Sequence, residues 1–308
     1  MSGKKRILIY IVLISASFLV VVFLIQVTLR QTSILGKAVS QSQNMQFEYL
    51  KNQLRKFVDQ AIKDGQATQI SVYFIDISSN FEIGINEKHK FMLASLLKVP
   101  KMIAIFKKAE SYPQILNRPI LYQNKLSEMK QNILPNEKLE LGKIYTVDDL
   151  ISRMIIFSDN QADNLLTKNI DNDILNRVFI DLGTDISSES ANGYMSAKDY
   201  SLFFKTLFDA QYLTKQMSEK AIELLTKSAY KEGLEAGLPD NIKVAHKFGE
   251  RSWDVIFTKQ LHDCGIVYYP NHPYLLCIMT RGYDLEKQST VIRQISGLVY
   301  DQVNKEYQ

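Results

Sequence analysis

Phe91-Met92-Leu93-Ala94-Ser95-Leu96-Leu97-Lys98 is the stretch on which the reading of this chain turns. An apolar run ends there in a serine, and a lysine follows three residues later. Three residues along a helix return to the same face, so Ser95 and Lys98 are neighbours if a helix opens at Ser95. Such a helix, expected to run towards Ser111, aims its positive end at the serine hydroxyl and favours negative charge formed there. A lysine that is partly desolvated and close to other cations can be neutral enough to take a serine proton. The competing reading is a capping serine followed by a surface lysine. Pro100 falls beyond the first turn of a helix starting at Ser95, so a local bend is expected there.

Two further clusters extend the pattern. Ser158-Asp159-Asn160 lies between a helix ending near Phe157 and another starting near Gln161. A serine at such a break can face a cleft and pass a proton to a leaving nitrogen, while the Asn160 amide holds the substrate's own amide. Read blandly, it is a polar turn with a cap. Lys247-Phe248-Gly249 ends a strand that begins near Lys243. There the lysine can anchor a carboxylate and lower the proton affinity of Ser158, and Gly249 lets a backbone approach the strand edge. The backbone N–H of Glu250, with that of Ser95, can form an oxyanion hole. An ordinary edge lysine is the alternative.

Around these clusters the elements alternate in a recognisable order. Leu50, Leu54, Phe57 and Ala61 recur at helical spacing and Gly65 closes that helix. Ile70–Ile77 and Phe81–Ile85 read as strands joined at Ser78-Ser79-Asn80. Helices dominate from about 112 to 227, among them one opened by Thr146 with Asp148 and Asp149 in its first turn. Strands return at Lys243–Phe248, Cys264–Tyr269 and Tyr274–Thr280, and a last helix covers about Ser289–Asn304. Strands from both ends with helices between them imply an α+β fold, an antiparallel sheet flanked by helices with an inserted all-helical lobe.

Taken together and in this order, Ser95-x-x-Lys98, Ser158-Asp159-Asn160 and Lys247-x-Gly249 resemble the motifs of class A β-lactamases and penicillin-binding proteins. The resemblance runs from about Phe47 to the C-terminus. It implies a serine hydrolase in which Ser95 is acylated, Lys98 and Ser158 move protons, and Asn160, Lys247, Gly249 and Glu250 bind substrate. Cell-wall D-alanyl peptides or β-lactams are the implied substrates. Two departures stand out. Phe248 occupies the place of a threonine or serine that helps hold a substrate carboxylate. Only thirteen positions separate Gly183 from Ser196, too few for the family's full Ω-loop, whose glutamate activates the deacylating water. Glu189 is the one glutamate in that interval, within Ser187-Ser188-Glu189-Ser190, and is the candidate deacylation base. A short loop without its usual sequence favours a penicillin-binding, peptidase-like protein. A true β-lactamase and a non-catalytic envelope scaffold are the alternatives.

The first thirty residues differ from the rest. Lys4-Lys5-Arg6 precede the 19 uncharged residues Ile7–Ile25, nearly enough to span about 30 Å of hydrocarbon. The basic cluster predicts a cytoplasmic N-terminus and an extracytoplasmic body in the cell membrane. A cleaved signal peptide also fits the two regions, but no small-residue site follows them. The expected organisation is a stub and single-pass anchor over 1–29, a polar stalk over 30–45 and a catalytic domain over 46–308. Within that domain an α/β lobe takes about 46–111 and 228–308, and a helical lobe about 112–227.

Other classes find little support. The net charge of +4 is dispersed, without the basic and aromatic interleaving of a nucleic-acid surface. No Gly-x-Ser-x-Gly elbow, phosphate loop or metal-spaced histidine pair occurs, so neither a metal nor a cofactor is expected. Cys264 and Cys277 flank Pro270-Asn271 symmetrically, which a hairpin would place opposite each other. They read either as a disulfide or as two small buried hydrophobes.

Overall fold

The computed structural model describes residues 45–125, 131–134, 137–170, 173–184, 193–253 and 257–307. The anchor expected over 7–25 and the candidate base Glu189 lie outside them. Among the described residues no helix is long and apolar enough to cross a membrane. The chain divides into two units, 1–49 and 50–308. Of the first, the described residues 45–49 are helical. The second begins with helix α1 (residues 50–63), in which Leu50, Leu54 and Ala61 are buried as expected, while Val58 and not Phe57 completes the buried face, Phe57 being half-buried.

Five antiparallel strands form the central sheet: β1 (Gln69–Asp76), β2 (Glu82–Ile85), β7 (Val244–Ser252), β8 (Lys259–Val267) and β9 (Tyr274–Gly282). Their order is β2-β1-β9-β8-β7, so the late strand β7 is an edge. Short ribbons pair β3 (Lys90–Met92) with β6 (Tyr194–Ser196), and β4 (Pro119–Leu121) with β5 (Ile144–Thr146). The helices are α2 (Lys98–Ser111), α3 (Val147–Ile156), α4 (Asn160–Asn169), α5 (Asp173–Asp181), α6 (Ala197–Phe208), α7 (Lys215–Thr226) and α8 (Leu285–Tyr307).

One core binds helices to sheet. Val99, Ile103 and Phe106 of α2, Leu150 and Ile151 of α3, and Phe203 and Phe204 of α6 share a cluster with Ala245, Cys264 and Cys277 of the sheet. α6 packs on β9 and α7 on β7, while α8 packs against β8 and β9. The three late strands are buried along almost their whole length; β9 is a nearly continuous apolar run, whereas β7 and β8 bury polar and charged residues, among them His246, Lys247, His262 and Asp263. Thr146 caps α3 in a reciprocal box with Asp149, as its sequence implied.

Register also decides the cysteines. Cys264 and Cys277 are direct partners across β8 and β9, and a disulfide joins them. Cys264 is in turn opposite Lys247 on β7.

Three local expectations need correction. The helix after Phe91 does not begin at Ser95: Ala94–Leu97 forms a 3₁₀ turn and α2 starts at Lys98. Pro100 therefore falls in the first turn, where its missing N–H has no partner to lose, and the reason for a bend disappears. Lys247-Phe248-Gly249 does not end its strand either. β7 continues to Ser252 because the ladder with β8 extends through Ser252↔Lys259.

Candidate active site

Ser95 sits in the 3₁₀ turn, and three distant elements fix that turn. His262 on β8 donates from Nε2 to the Met92 carbonyl at 3.1 Å, while its Nδ1 accepts the Thr280 N–H at 3.2 Å. That pair of bonds sets the tautomer, and burial pulls the His262 pKa down to about 4, so the ring is neutral. Tyr200 on α6 donates to the Leu96 carbonyl at 2.9 Å. Gly249 on β7 lies directly under the turn: a Cβ there would stand 2.7 Å from the Leu93 carbonyl oxygen and 3.0 Å from the Leu96 nitrogen. The glycine of Lys-x-Gly is thus explained by close approach of strand to turn. Ala94, immediately before the serine, has φ of 48°, a left-handed conformation that costs a residue with a Cβ about 1 kcal/mol or more.

Lys98 is buried, and its Nζ lies 2.6 Å from the Ser158 carbonyl oxygen, 3.2 Å from Ser158 Oγ and 2.7 Å from Asn160 Oδ1. Ser158 is a second left-handed residue with φ of 55°. Asp159 caps α4 by accepting the Gln161 and Ala162 N–H groups, and its burial raises the carboxyl pKa. The cap starts α4 at Asn160, which turns Ser158 and Asn160 together towards Lys98.

A narrow cleft of about 70 Å³ is lined by Ser95, Lys98, Gln131, Asn160, Glu250 and Arg251, among others. The Glu250 amide faces it for a reason of register. Trp253 N–H bonds the Thr258 carbonyl and Tyr268 N–H the Lys243 carbonyl, so the odd-numbered residues of β7 bond to β8. The even-numbered ones, Glu250 included, direct N–H and C=O to the free edge. The Glu250 carboxylate does something its sequence gave no sign of. It accepts the Asn132 and Ile133 N–H groups and Asn132 Nδ2, while Gln131 Nε2 reaches the Ser158 carbonyl at 3.4 Å. Residues 131–133 thereby bridge β7 and the Ser158 turn.

Lys247 is placed differently from Arg251. It is fully buried, its Nζ donates to the Phe248 carbonyl at 3.0 Å, and it lies 4.2 Å from the centre of the Phe248 ring. Burial, with the charge of Lys98 second, holds its pKa well below that of an ordinary lysine. Phe248 stacks on Tyr230 with ring centres 4.3 Å apart. Beneath them His246 pairs with Asp263 at 2.8 Å, and Asp263 also accepts the Leu234 N–H, tying the loop that carries Tyr230 to the sheet. Among the described residues no group of three or more acids, histidines or cysteines is arranged to hold a metal ion.

The structure therefore brings Ser95, Lys98, Ser158, Asn160, Gly249 and Glu250 to one place, and Lys247, fully buried, donates to the Phe248 carbonyl on the same strand. Comparison with known proteins places the chain. The family model described as "Beta-lactamase enzyme family" matches residues 50–303, and the chain belongs to that family. It is a serine hydrolase of the β-lactamase-like kind. The structure of PBP-A superimposes with a TM-score of 0.67 at 21% identity, covering 83% of this chain and 96% of that one. A PBP-A variant solved as an acyl-enzyme complex with penicillin G gives 0.69 at 21% identity, over 84% and 97% of the two chains. A β-lactamase from Xanthomonas campestris pv. campestris gives 0.71 at 21% identity, over 82% and 98%. No curated protein matches the sequence.

Proposed function

We propose that this protein is a membrane-anchored, extracytoplasmic serine acyl-transfer enzyme of the penicillin-binding, peptidase-like kind. The observation that carries the reading is the three-way grip of Lys98 on Ser158 and Asn160 beside Ser95 in one cleft. Ser95 Oγ attacks an amide carbonyl and gives its proton to Lys98, which enters the reaction as the neutral amine. The oxyanion takes hydrogen bonds from the Ser95 and Glu250 amides. The carbon–nitrogen bond then breaks. Ser158 gives its proton to the leaving nitrogen and regains one from Lys98, leaving an ester on Ser95 that water hydrolyses. Asn160 holds the substrate amide. D-alanyl peptides of the cell wall and β-lactams both present the required carbonyl.

The short interval between Gly183 and Ser196 supports slow deacylation. Lys4-Lys5-Arg6 followed by Ile7–Ile25 supports an anchor with the catalytic domain, 46–308, outside the cytoplasm. The Cys264–Cys277 disulfide suits that oxidising side. A second reading, a true β-lactamase with Glu189 as deacylating base, draws on the β-lactamases among the similar structures.

Loss of benzylpenicillin, followed against enzyme concentration, separates the readings. Consumption that stops at about one equivalent is the result expected. Sustained turnover that depends on Glu189 supports the β-lactamase instead. No consumption, together with no cleavage of a D-alanyl-D-alanine peptide, overturns both and leaves a binding module.

A further inference from the structure

Three residues outside any helix or strand, 131–133, close one side of the Ser95 cleft. Gln131 Nε2 reaches the Ser158 carbonyl at 3.4 Å, and the next two residues are held by the Glu250 carboxylate. Its Oε1 accepts the Asn132 and Ile133 N–H groups. Its Oε2 accepts Asn132 Nδ2, which also bonds Ser252 Oγ at 2.9 Å. Both oxygens of one carboxylate are thus occupied by this strap, and the backbone N–H of the same residue faces the cleft.

The cleft closed in this way is about 70 Å³, whereas pockets for drug-sized ligands run to roughly 300–1,000 Å³. Entry of a penicillin or a peptide therefore needs a wall to move. The other lining residues belong to the Ser95 turn, α2, α4 and β7, and all four elements are tied into the core. The strap is held by side-chain bonds, and Asn132 is exposed. Local opening draws on segments of this kind, with few buried apolar contacts. There is room beside it, because Ile133 lines a second hollow of about 600 Å³ together with Tyr230 and Leu261.

We infer that residues 131–133 are a latch on the Ser95 cleft, that Glu250 is the positioning residue holding it shut, and that release of Asn132 and Ile133 from its carboxylate precedes acylation. The apparent affinity for substrate is then reduced by the fraction of molecules that are open. The inference rests on the acyl-transfer reading and deepens it: substrates too large for the closed cleft are admitted only through release of the strap.

Benzylpenicillin is the probe, and acylation of Ser95 is followed by intact mass in the parent, Asn132→Ala, Glu250→Gln and the double variant. Asn132→Ala removes both Nδ2 bonds of the latch without changing a charge, and Glu250→Gln keeps the backbone N–H at that position. Each is expected to raise the second-order rate constant by roughly tenfold, the size of one hydrogen bond to a charged group, with the rate at saturation unchanged. The double variant should gain little over either alone, because both act on the same bond. Hydrogen exchange gives a second readout: the 131–133 amides should exchange more slowly in the free parent than in Asn132→Ala, and faster once Ser95 is acylated. An Asn132→Ala constant equal to or below the parent's, or exchange over 131–133 that acylation leaves unchanged, overturns the inference while Ser95 acylation stands. No Ser95 adduct in the parent or in any variant overturns it together with the reading beneath it.

Discussion

Lys98 Nζ stands 3.2 Å from Ser158 Oγ, joining the start of α2 to a turn sixty residues later in the chain. The same nitrogen bonds the Ser158 carbonyl and Asn160 Oδ1, so the lysine, the serine and the amide have one geometry. In the proposed mechanism this buried nitrogen, with its three oxygen partners, passes a proton taken from Ser95 on to Ser158.

The turn that carries Ser95 rests on Gly249 without space for another atom. Gly249→Ala is expected to lower stability by about 1–3 kcal/mol through overpacking. It should also slow acylation by more than tenfold, because a displaced turn moves the nucleophile. Chemical denaturation and acylation kinetics on the same protein check both. Unchanged acylation would mean that the strand does not set the position of Ser95.

Ser158 separates stability from activity. Its φ of 55° suits glycine, so Ser158→Gly relieves backbone strain and offsets the lost hydroxyl contact with Lys98. The melting temperature is expected to stay within a few degrees while acylation falls by about 10²-fold, the size of a general acid–base step. Ser158→Ala, which keeps the strain, should be the less stable of the two. A glycine variant as active as the parent would remove Ser158 from the proton path.

Two buried histidines predict a stability optimum. For His246, burial opposes the charge, but the pairing with Asp263 outweighs it and raises the pKa from 6.5 to about 9. Its contribution is complete below pH 6.5 and is lost as pH rises towards 9. His262 is lowered from 6.5 to about 4, so it is neutral when folded and charged when unfolded between those values. Its contribution is complete above 6.5 and is lost as pH falls towards 4. Each limb is worth about 3 kcal/mol at most, and the optimum should lie near pH 6.5. Thermal melts across pH 4–9 test this. His246→Gln should flatten the alkaline limb and His262→Gln the acidic one.

Much of this was legible in the sequence because it is local. Ser95 and Lys98 are three apart, Thr146 and Asp149 form a box within one turn, and the symmetry of Cys264 and Cys277 about Pro270-Asn271 is a hairpin register. The order of strands and helices likewise follows from periodicity. What escaped depends on contacts between distant segments. Nothing near Glu250 announces that its carboxylate holds Asn132, 118 residues away, or that His262 holds Met92. The 3₁₀ turn at Ser95 follows from the left-handed Ala94, a conformation that alanine does not advertise. The complete burial of Lys247 likewise depends on the elements that pack against β7, which nothing in its own stretch of sequence announces.

The proposed mechanism makes Ser95 the nucleophile. Its most direct test is intact-mass spectrometry of the protein incubated with benzylpenicillin, followed in time and mapped by peptide digestion, with Ser95→Ala alongside. A lasting adduct of one penicilloyl group on Ser95, and none on the variant, is the expected result. An adduct that persists in Ser95→Ala, or no adduct in a parent protein that leaves benzylpenicillin intact, would contradict it.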